Sequence, residues 1–271
     1  MAGKTIVITG ASDGIGAAAT RALSERHTVV VVGRSAEKTR AVAESVGAEW
    51  LLSDFSRLDE VRELGATLLE RYERIDVLAN NAGGIMGPRT ETVDGHELTL
   101  QVNHLAPFLL TQLLMPRLIE SRASVIATSS IAHRYGSFDF DDLEARQGYR
   151  PERAYGTAKL ANLLFVRELH RRFHDQGLSA AAFHPGVVST SFAGQTNSAL
   201  RVVYTSVLKR LLRTPEQGAE TLVWLAAGTP GIDWQSGGYY VKRAPAAIRR
   251  GADDPALARE LWKRTEALLA E

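Results

Sequence analysis

The chain has no cysteine among its 271 residues. That excludes a disulfide framework, a thiolate nucleophile and any cysteine-based metal site. It also lacks an excess of charge of either sign. With 32 Lys and Arg against 31 Asp and Glu, the net charge is +1, which removes the electrostatic case for a nucleic-acid partner. Long apolar runs are missing as well. The stretch from Thr28 to Gly33 is strand-length, far below the roughly 20 residues that cross a bilayer, so no membrane span is expected. A strand pattern begins by Thr5, so no signal peptide is expected. Low-complexity segments, internal repeats and linkers are absent too. What is present, 45% hydrophobic and 23% charged residues, describes a globular chain. We expect one domain over residues 1–271 and a cytoplasmic location.

Short β-branched runs alternate with longer helical patterns. The strand candidates are Thr5–Thr9, Thr28–Val32, Glu49–Leu52, Asp76–Ala79, Ser124–Thr128, Ala180–Phe183 and Tyr239–Val241. Helical periodicity fills residues near 15–26, 36–46, 57–73, 98–121, 152–176, 215–227 and 255–270. Such alternation predicts an α/β fold, a doubly wound, Rossmann-type, seven-stranded parallel sheet with helices on both faces.

Within the fifth helical stretch Tyr155 and Lys159 stand four positions apart, so they share one helix face. A free tyrosine titrates near pH 10, and bringing it to about 7 takes roughly 4 kcal/mol. A lysine ammonium in a dry site supplies much of that by favouring phenolate. A core tyrosine beside a surface lysine is the plainer reading, and the pair alone does not decide between them.

The first turn, Thr9-Gly10-Ala11-Ser12-Asp13-Gly14-Ile15-Gly16, leaves one strand and opens a helix. Glycines there let the backbone approach a pyrophosphate held on the helix N-terminus; an ordinary tight turn is the alternative. After strand two, where NAD binders place a carboxylate for the ribose, the chain has Gly33 and Arg34. A guanidinium can fork onto a 2′-phosphate, which favours NADP(H) over NAD(H). Against that, Arg34 can instead be a solvated cation at a helix start, and Asp13 is an awkward charge near a 2′-phosphate. Asp54, next to Phe55, can hydrogen-bond an adenine amine or cap the following helix, for which Ser56 looks the better N-cap. In Asn80-Asn81-Ala82-Gly83-Gly84, small residues leave room for a ribose and the amides can fix strand ends; a turn cluster is the other reading.

Asn103 lies among apolar residues of a helix pattern and needs partners if buried. Ser130 ends strand five, as a donor to a substrate oxygen or as a cap. The long polar and aromatic connection from His133 to Arg150 either borders a site or is mobile. His184 precedes Pro185-Gly186, and no second histidine or carboxylate stands at metal spacing, so no metal site is expected. Residues 200–212 read as a basic amphipathic helix, either a cover for the substrate cleft within an insertion near 190–213 or a membrane-surface contact.

Together these residues resemble the short-chain dehydrogenase/reductase family in its short, single-domain branch, over nearly the whole chain. The order of Gly10, Gly14 and Gly16, Asn80-Asn81-Ala82-Gly83, Asn103, Ser130, Tyr155 with Lys159, and Pro185-Gly186 with Thr190 carries the likeness. Lys159-Leu160-Ala161-Asn162, His184-Pro185-Gly186-Val187-Val188, Thr214-Pro215-Glu216-Gln217-Gly218 and Gly238-Tyr239-Tyr240 are similar to its retinol-dehydrogenase-like members. The resemblance implies an oxidoreductase that moves hydride between NADP(H) and a small-molecule ketone, aldehyde or alcohol. Tyr155 would be the general acid or base, Lys159 would lower its pKa and hold the nicotinamide ribose, and Ser130 would bind the substrate oxygen. Asn103 would hold a water linking Lys159 to solvent. Gly10, Ser12, Asp13, Gly14, Ile15, Gly16, Arg34, Asp54, Phe55, Asn81, Ala82 and Gly83 would form the cofactor site with Tyr155, Lys159, Pro185, Gly186, Val188 and Thr190. The family's basic residue just before the second glycine is Asp13 here. A homodimer or tetramer is the family's common state. Two other readings are a catalytically silent NADP(H)-binding sensor or scaffold, and an epimerase or dehydratase, for which the chain is short and the glycine spacing differs.

Overall fold

A computed structural model describes residues 3–188, 213–249 and 251–270. Seven parallel strands form its centre: β1 Thr5–Thr9, β2 Thr28–Gly33, β3 Glu49–Leu52, β4 Val77–Asn80, β5 Ser124–Thr128, β6 Ser179–His184 and β7 Gly238–Val241. An eighth, β8 Ala244–Pro245, pairs antiparallel with β7, and the order is β3-β2-β1-β4-β5-β6-β7-β8. The seven-stranded expectation therefore gains a two-residue edge strand. It is too short to carry a periodic signal, and Lys242 and Arg243, both at positive φ, form the tight turn before it.

The strands are buried on both faces, so they read as continuous apolar runs. Their alternation divides the core in two. Val7, Val30, Leu78, Val125 and Ala182 face one layer, with α3 (Leu58–Arg71), α5 (Ala106–Glu120) and α6 (Pro151–Phe173). Ile6, Ile8, Val31, Ile126 and Phe183 face the other, with α1 (Gly14–Ser24), α2 (Ala36–Glu44) and α7 (Pro215–Ala227). The last helix, α8 (Pro255–Ala270), lies outside α6, where Trp262 stacks on Phe165 and meets Phe108 edge-on.

Two local departures bear on the site. The helix expected near 98–121 is a short α4 (Leu98–Leu100), a π-helical turn (Gln101–Leu105) and then α5. Pro107 has no N–H to donate to the carbonyl of Asn103, its α-helical acceptor, and the ladder widens to an Ala106-to-Gln101 bond. The second concerns α3. Arg57, not Ser56, occupies its N-cap and offers no side-chain bond to the helix's first amides. Ser56 donates instead to Asp54 Oδ1 at 2.9 Å, and the first helical amide, Leu58 N–H, is taken by Asp94 Oδ2 at 2.9 Å.

Candidate active site

A doubly wound sheet binds ligands beyond the carboxyl ends of its strands. The residues singled out in the sequence collect at that edge. β1 runs into the glycine turn, β2 into Arg34, β3 into Asp54, β4 into Asn81 to Gly83, β5 into Ser130, and β6 into Pro185-Gly186.

The glycine turn is fitted to its neighbours. Gly10 has φ of +63°, and a Cβ on it would lie 2.7 Å from Ala82 Cα. A Cβ on Gly16 would lie 2.3 Å from Gly10 O. Ala11 N–H donates to Val32 O at 2.9 Å, and Ser12 packs against Gly33. Asp13 is the N-cap of α1, accepting from Gly14 N–H at 2.7 Å, and its other oxygen lies 3.6 Å from Lys38 Nζ. That lysine offsets the charge that looked out of place in the sequence. Ile15 follows in the first turn, where an α-helix leaves amides for an anion. Arg34 is exposed just past β2.

Asn81 donates to Thr9 O and Gly10 O and accepts from Thr128 Oγ1, lacing three strand ends together. Thr9, which the sequence reading passed over, anchors the same turn: its Oγ1 accepts from Asn81 and Ala82 N–H and donates to Ala79 O. A buried hydroxyl at the end of an apolar strand was the available signal. The Phe55 side chain is buried in the core layer of α3 and α5, and its carbonyl accepts from Gln101, so only its main-chain N–H is left to meet a cofactor. Its bulk serves packing, leaving Asp54 as the accessible member of that pair. Val188 is likewise buried, paired with Arg213 across an isolated bridge and close to Gly218. Gly186 has φ of +89° under the Arg213 side chain, which donates to Pro185 O. Thr190 and the stretch 200–212 lie outside the described residues.

Asn103, Ser130, Tyr155 and Lys159 come to this edge from three segments. The Asn103 amide is fully satisfied, donating to Gly84 O and Thr99 O and accepting from Gly84 N–H. Ser130 caps a 3-10 turn, Ile131–Arg134, by accepting from Ala132 N–H, which leaves its own proton free to donate elsewhere. Lys159 is only 2% exposed. Its Nζ donates to Thr128 O at 3.1 Å and lies 5.4 Å from the centre of the Tyr155 ring. Burial pulls its pKa down from 10.5 to about 7. An ammonium held there electrostatically favours the phenolate of Tyr155, which lowers the cost of moving a proton at its hydroxyl.

The connection from Ile131 to Arg150 is anchored rather than loose. Glu144, buried, takes His96 Nδ1 at 3.0 Å and Glu97 N–H at 3.1 Å. The Tyr149 hydroxyl reaches Glu97 at 3.1 Å. Apolar side chains stand exposed along this edge at Ile131, Tyr135 and Val187.

Gly83 tests whether the site suits a dinucleotide. A Cβ there would lie 2.5 Å from Asn103 Oδ1 and 3.0 Å from Lys159 Nζ. The missing side chain lets the turn after β4 lie directly against Asn103 and against Lys159, the ammonium that would hold a ribose. With the glycine turn at the head of α1, the residues fit the group.

The short chain dehydrogenase pattern matches residues 4–201. A Streptomyces sp. (strain C5) protein, assigned by name to daunorubicin C-13 ketoreduction, is 42% identical over 277 residues, covering 99% of this chain and 93% of its own. Human retinol dehydrogenase 13 is 35% identical over 281 residues, covering 98% and 85%. The crystal structure of an uncharacterized Mycobacterium paratuberculosis protein superposes with a TM-score of 0.78 at 34% identity, covering 98% and 93%. The chain is an oxidoreductase acting on CH-OH and carbonyl groups, and it belongs to the short-chain dehydrogenase/reductase family.

Proposed function

We propose that the protein is an NADP(H)-dependent carbonyl reductase for apolar ketones or aldehydes. The observation that carries this reading is the buried Lys159 ammonium, 5.4 Å from the Tyr155 ring and hydrogen-bonded only to a main-chain carbonyl in the described structure. Bound NADPH supplies the hydride. The Tyr155 hydroxyl gives its proton to the substrate oxygen, and Lys159 stabilises the phenolate left behind. Ser130 donates its free proton to the same oxygen and orients it. Asn103 holds the turn after β4 against Lys159. Arg34, with Lys38 offsetting Asp13, favours a 2′-phosphate. The exposed Ile131, Tyr135 and Val187 suit an apolar substrate, and the relative named for a ketoreduction supports a ketone.

The test is NADPH consumption against a panel of bulky ketones and aldehydes, with Tyr155→Phe beside the wild type. We expect kcat to fall by about 100-fold or more in the variant. A variant that kept most of the wild-type kcat would remove Tyr155 from proton transfer. Tight NADPH binding by a wild type that turns over none of the panel would favour a sensor or scaffold instead.

A further inference from the structure

Behind Ser130, three buried side chains end in polar atoms that no described protein group reaches. His133 lies in the 3-10 turn after β5, His184 ends β6, and Tyr239 lies in β7. Nε2 of His133, Nδ1 of His184 and the hydroxyl of Tyr239 all lack a hydrogen-bond partner among the described residues. They belong to one cluster. The His133 and Tyr239 rings meet edge to face, 5.3 Å between centroids. Tyr239 pairs in register with Ala182, so His184, two residues further along β6, points to the same face of the sheet. His133 and His184 are near enough that a charge on the first opposes a charge on the second.

The hydrogen bonds around them define what each atom can do. His133 Nδ1 lies 2.6 Å from the carbonyl oxygen of Ser130, which only accepts, so Nδ1 carries the proton. Burial depresses the pKa of both histidines, His184 to about 4. In the neutral ring of His133, Nε2 is then an acceptor. The Tyr239 hydroxyl brings a donor, and His184 Nδ1 a third polar atom. Native interiors rarely leave such groups unpaired. A donor, an acceptor and a third nitrogen in one buried cluster match the three or so bonds that an internal water makes.

We propose that His133, His184 and Tyr239 bind a single internal water, and that this water, through the His133 imidazole, fixes the main chain of Ser130. His133 is thereby a positioning residue for the serine hydroxyl, and it ties β6 and β7 to the turn that carries it. This rests on the reading of Ser130 as the donor to the substrate oxygen.

The experiment combines thermal unfolding with steady-state kinetics. Tyr239→Phe removes the hydroxyl alone. If the hydroxyl is bonded to a water, Tm falls by about 2–4 °C and kcat falls several-fold at unchanged KM. An unpaired hydroxyl would instead leave Tm unchanged or raised on removal, and that result overturns the proposal. At position 133, asparagine places an amide N–H where Nδ1 stands, and glutamine places one where Nε2 stands. We expect His133→Asn to recover most of the kcat that His133→Gln loses. Equal kcat in the two variants would overturn positioning through Nδ1. Ser130→Ala, run beside them, separates the two readings: wild-type kcat in that variant would remove the role of Ser130, while the Tm of Tyr239→Phe still decides whether the water is bound.

Discussion

At the scale of single residues, the site is held at a cost that pH exposes. Lys159 ionises near 10.5 in an unfolded chain and near 7 when buried. Below pH 7 it is charged in both states, and folding carries the full cost of drying an ammonium. Between 7 and 10.5 unfolding takes up a proton, so stability rises with pH, by about 1.4 kcal/mol per unit for one group. Lys159→Met lacks this dependence. In the unliganded protein we expect the variant's Tm to exceed the wild type's most at pH 6–7, with the gap narrowing towards pH 10. A gap that stays constant over that range would mean the lysine is not buried as an ammonium. Arg34 tests the cofactor in the same way. One charge-assisted contact to a 2′-phosphate contributes about 1.5–3 kcal/mol, one to two decades of affinity. We therefore expect NADPH to bind at least about tenfold more tightly than NADH, and Arg34→Ala to erase most of the difference. Equal affinities in the wild type, measured by fluorescence titration, would count against the NADP reading. Tyr155, Lys159 and the glycine turn were readable because their spacing is local. The Gly84 partner of Asn103 was not, because it stands 19 residues away and only the fold brings it near. The burial of the Phe55 side chain was not readable either. Its place after a strand end suggested ligand contact, but an aromatic ring there gains more from the core.

At the scale of elements, periodicity located the long helices and the seven parallel strands among the described residues, because burial of one face imposes it. Helix ends were less readable, since a cap can come from elsewhere in the chain. Asp94 is the case in point. It accepts from the first amide of α3 and from Gln101 Nε2 at 2.8 Å, joining α3 to the π-helical turn that carries Asn103. Ser56, the local candidate, is occupied by Asp54. Losing a side-chain cap costs about 1 kcal/mol, whereas surface changes away from such features stay within about 0.5 kcal/mol. We expect urea unfolding of Asp94→Ala to show the larger loss, and Ser56→Ala to remain near wild type. The reverse order would return the cap to Ser56. The π-helical turn itself had a sequence signal in Pro107, which interrupts the hydrogen-bond ladder of an otherwise continuous helical pattern.

At the scale of the whole molecule, the parallel sheet was legible from alternation alone, while the antiparallel β8 was too short to register and the placement of α8 needed the packed structure. That placement has a consequence. His104, beside Asn103, is fully buried under α8 and bonded through Nε2 to Thr265 Oγ1 at 3.0 Å. The Thr265 hydroxyl donates to Leu261 O, so the ring must be the donor to it. Burial holds His104 neutral down to about pH 4, as it does His184, and it lowers His133 as well. An unfolded histidine protonates near 6.5. Above that pH neither state binds the proton, and the stability of the buried neutral rings is fully present. Between 6.5 and 4 unfolding takes protons up, so stability falls with pH by up to about 1.4 kcal/mol per unit for each ring. We expect urea midpoints of the wild type to change between pH 8 and 7 only by the share of Lys159, with nothing from these rings, and to decline steeply below 6.5. His104→Leu keeps the bulk and removes one proton site, so its decline between pH 6.5 and 4.5 should be shallower by close to one group's share. If wild type and variant decline in parallel, His104 does not stay neutral in the folded protein, and the contact between the π-helical turn and α8 would have to admit a charge.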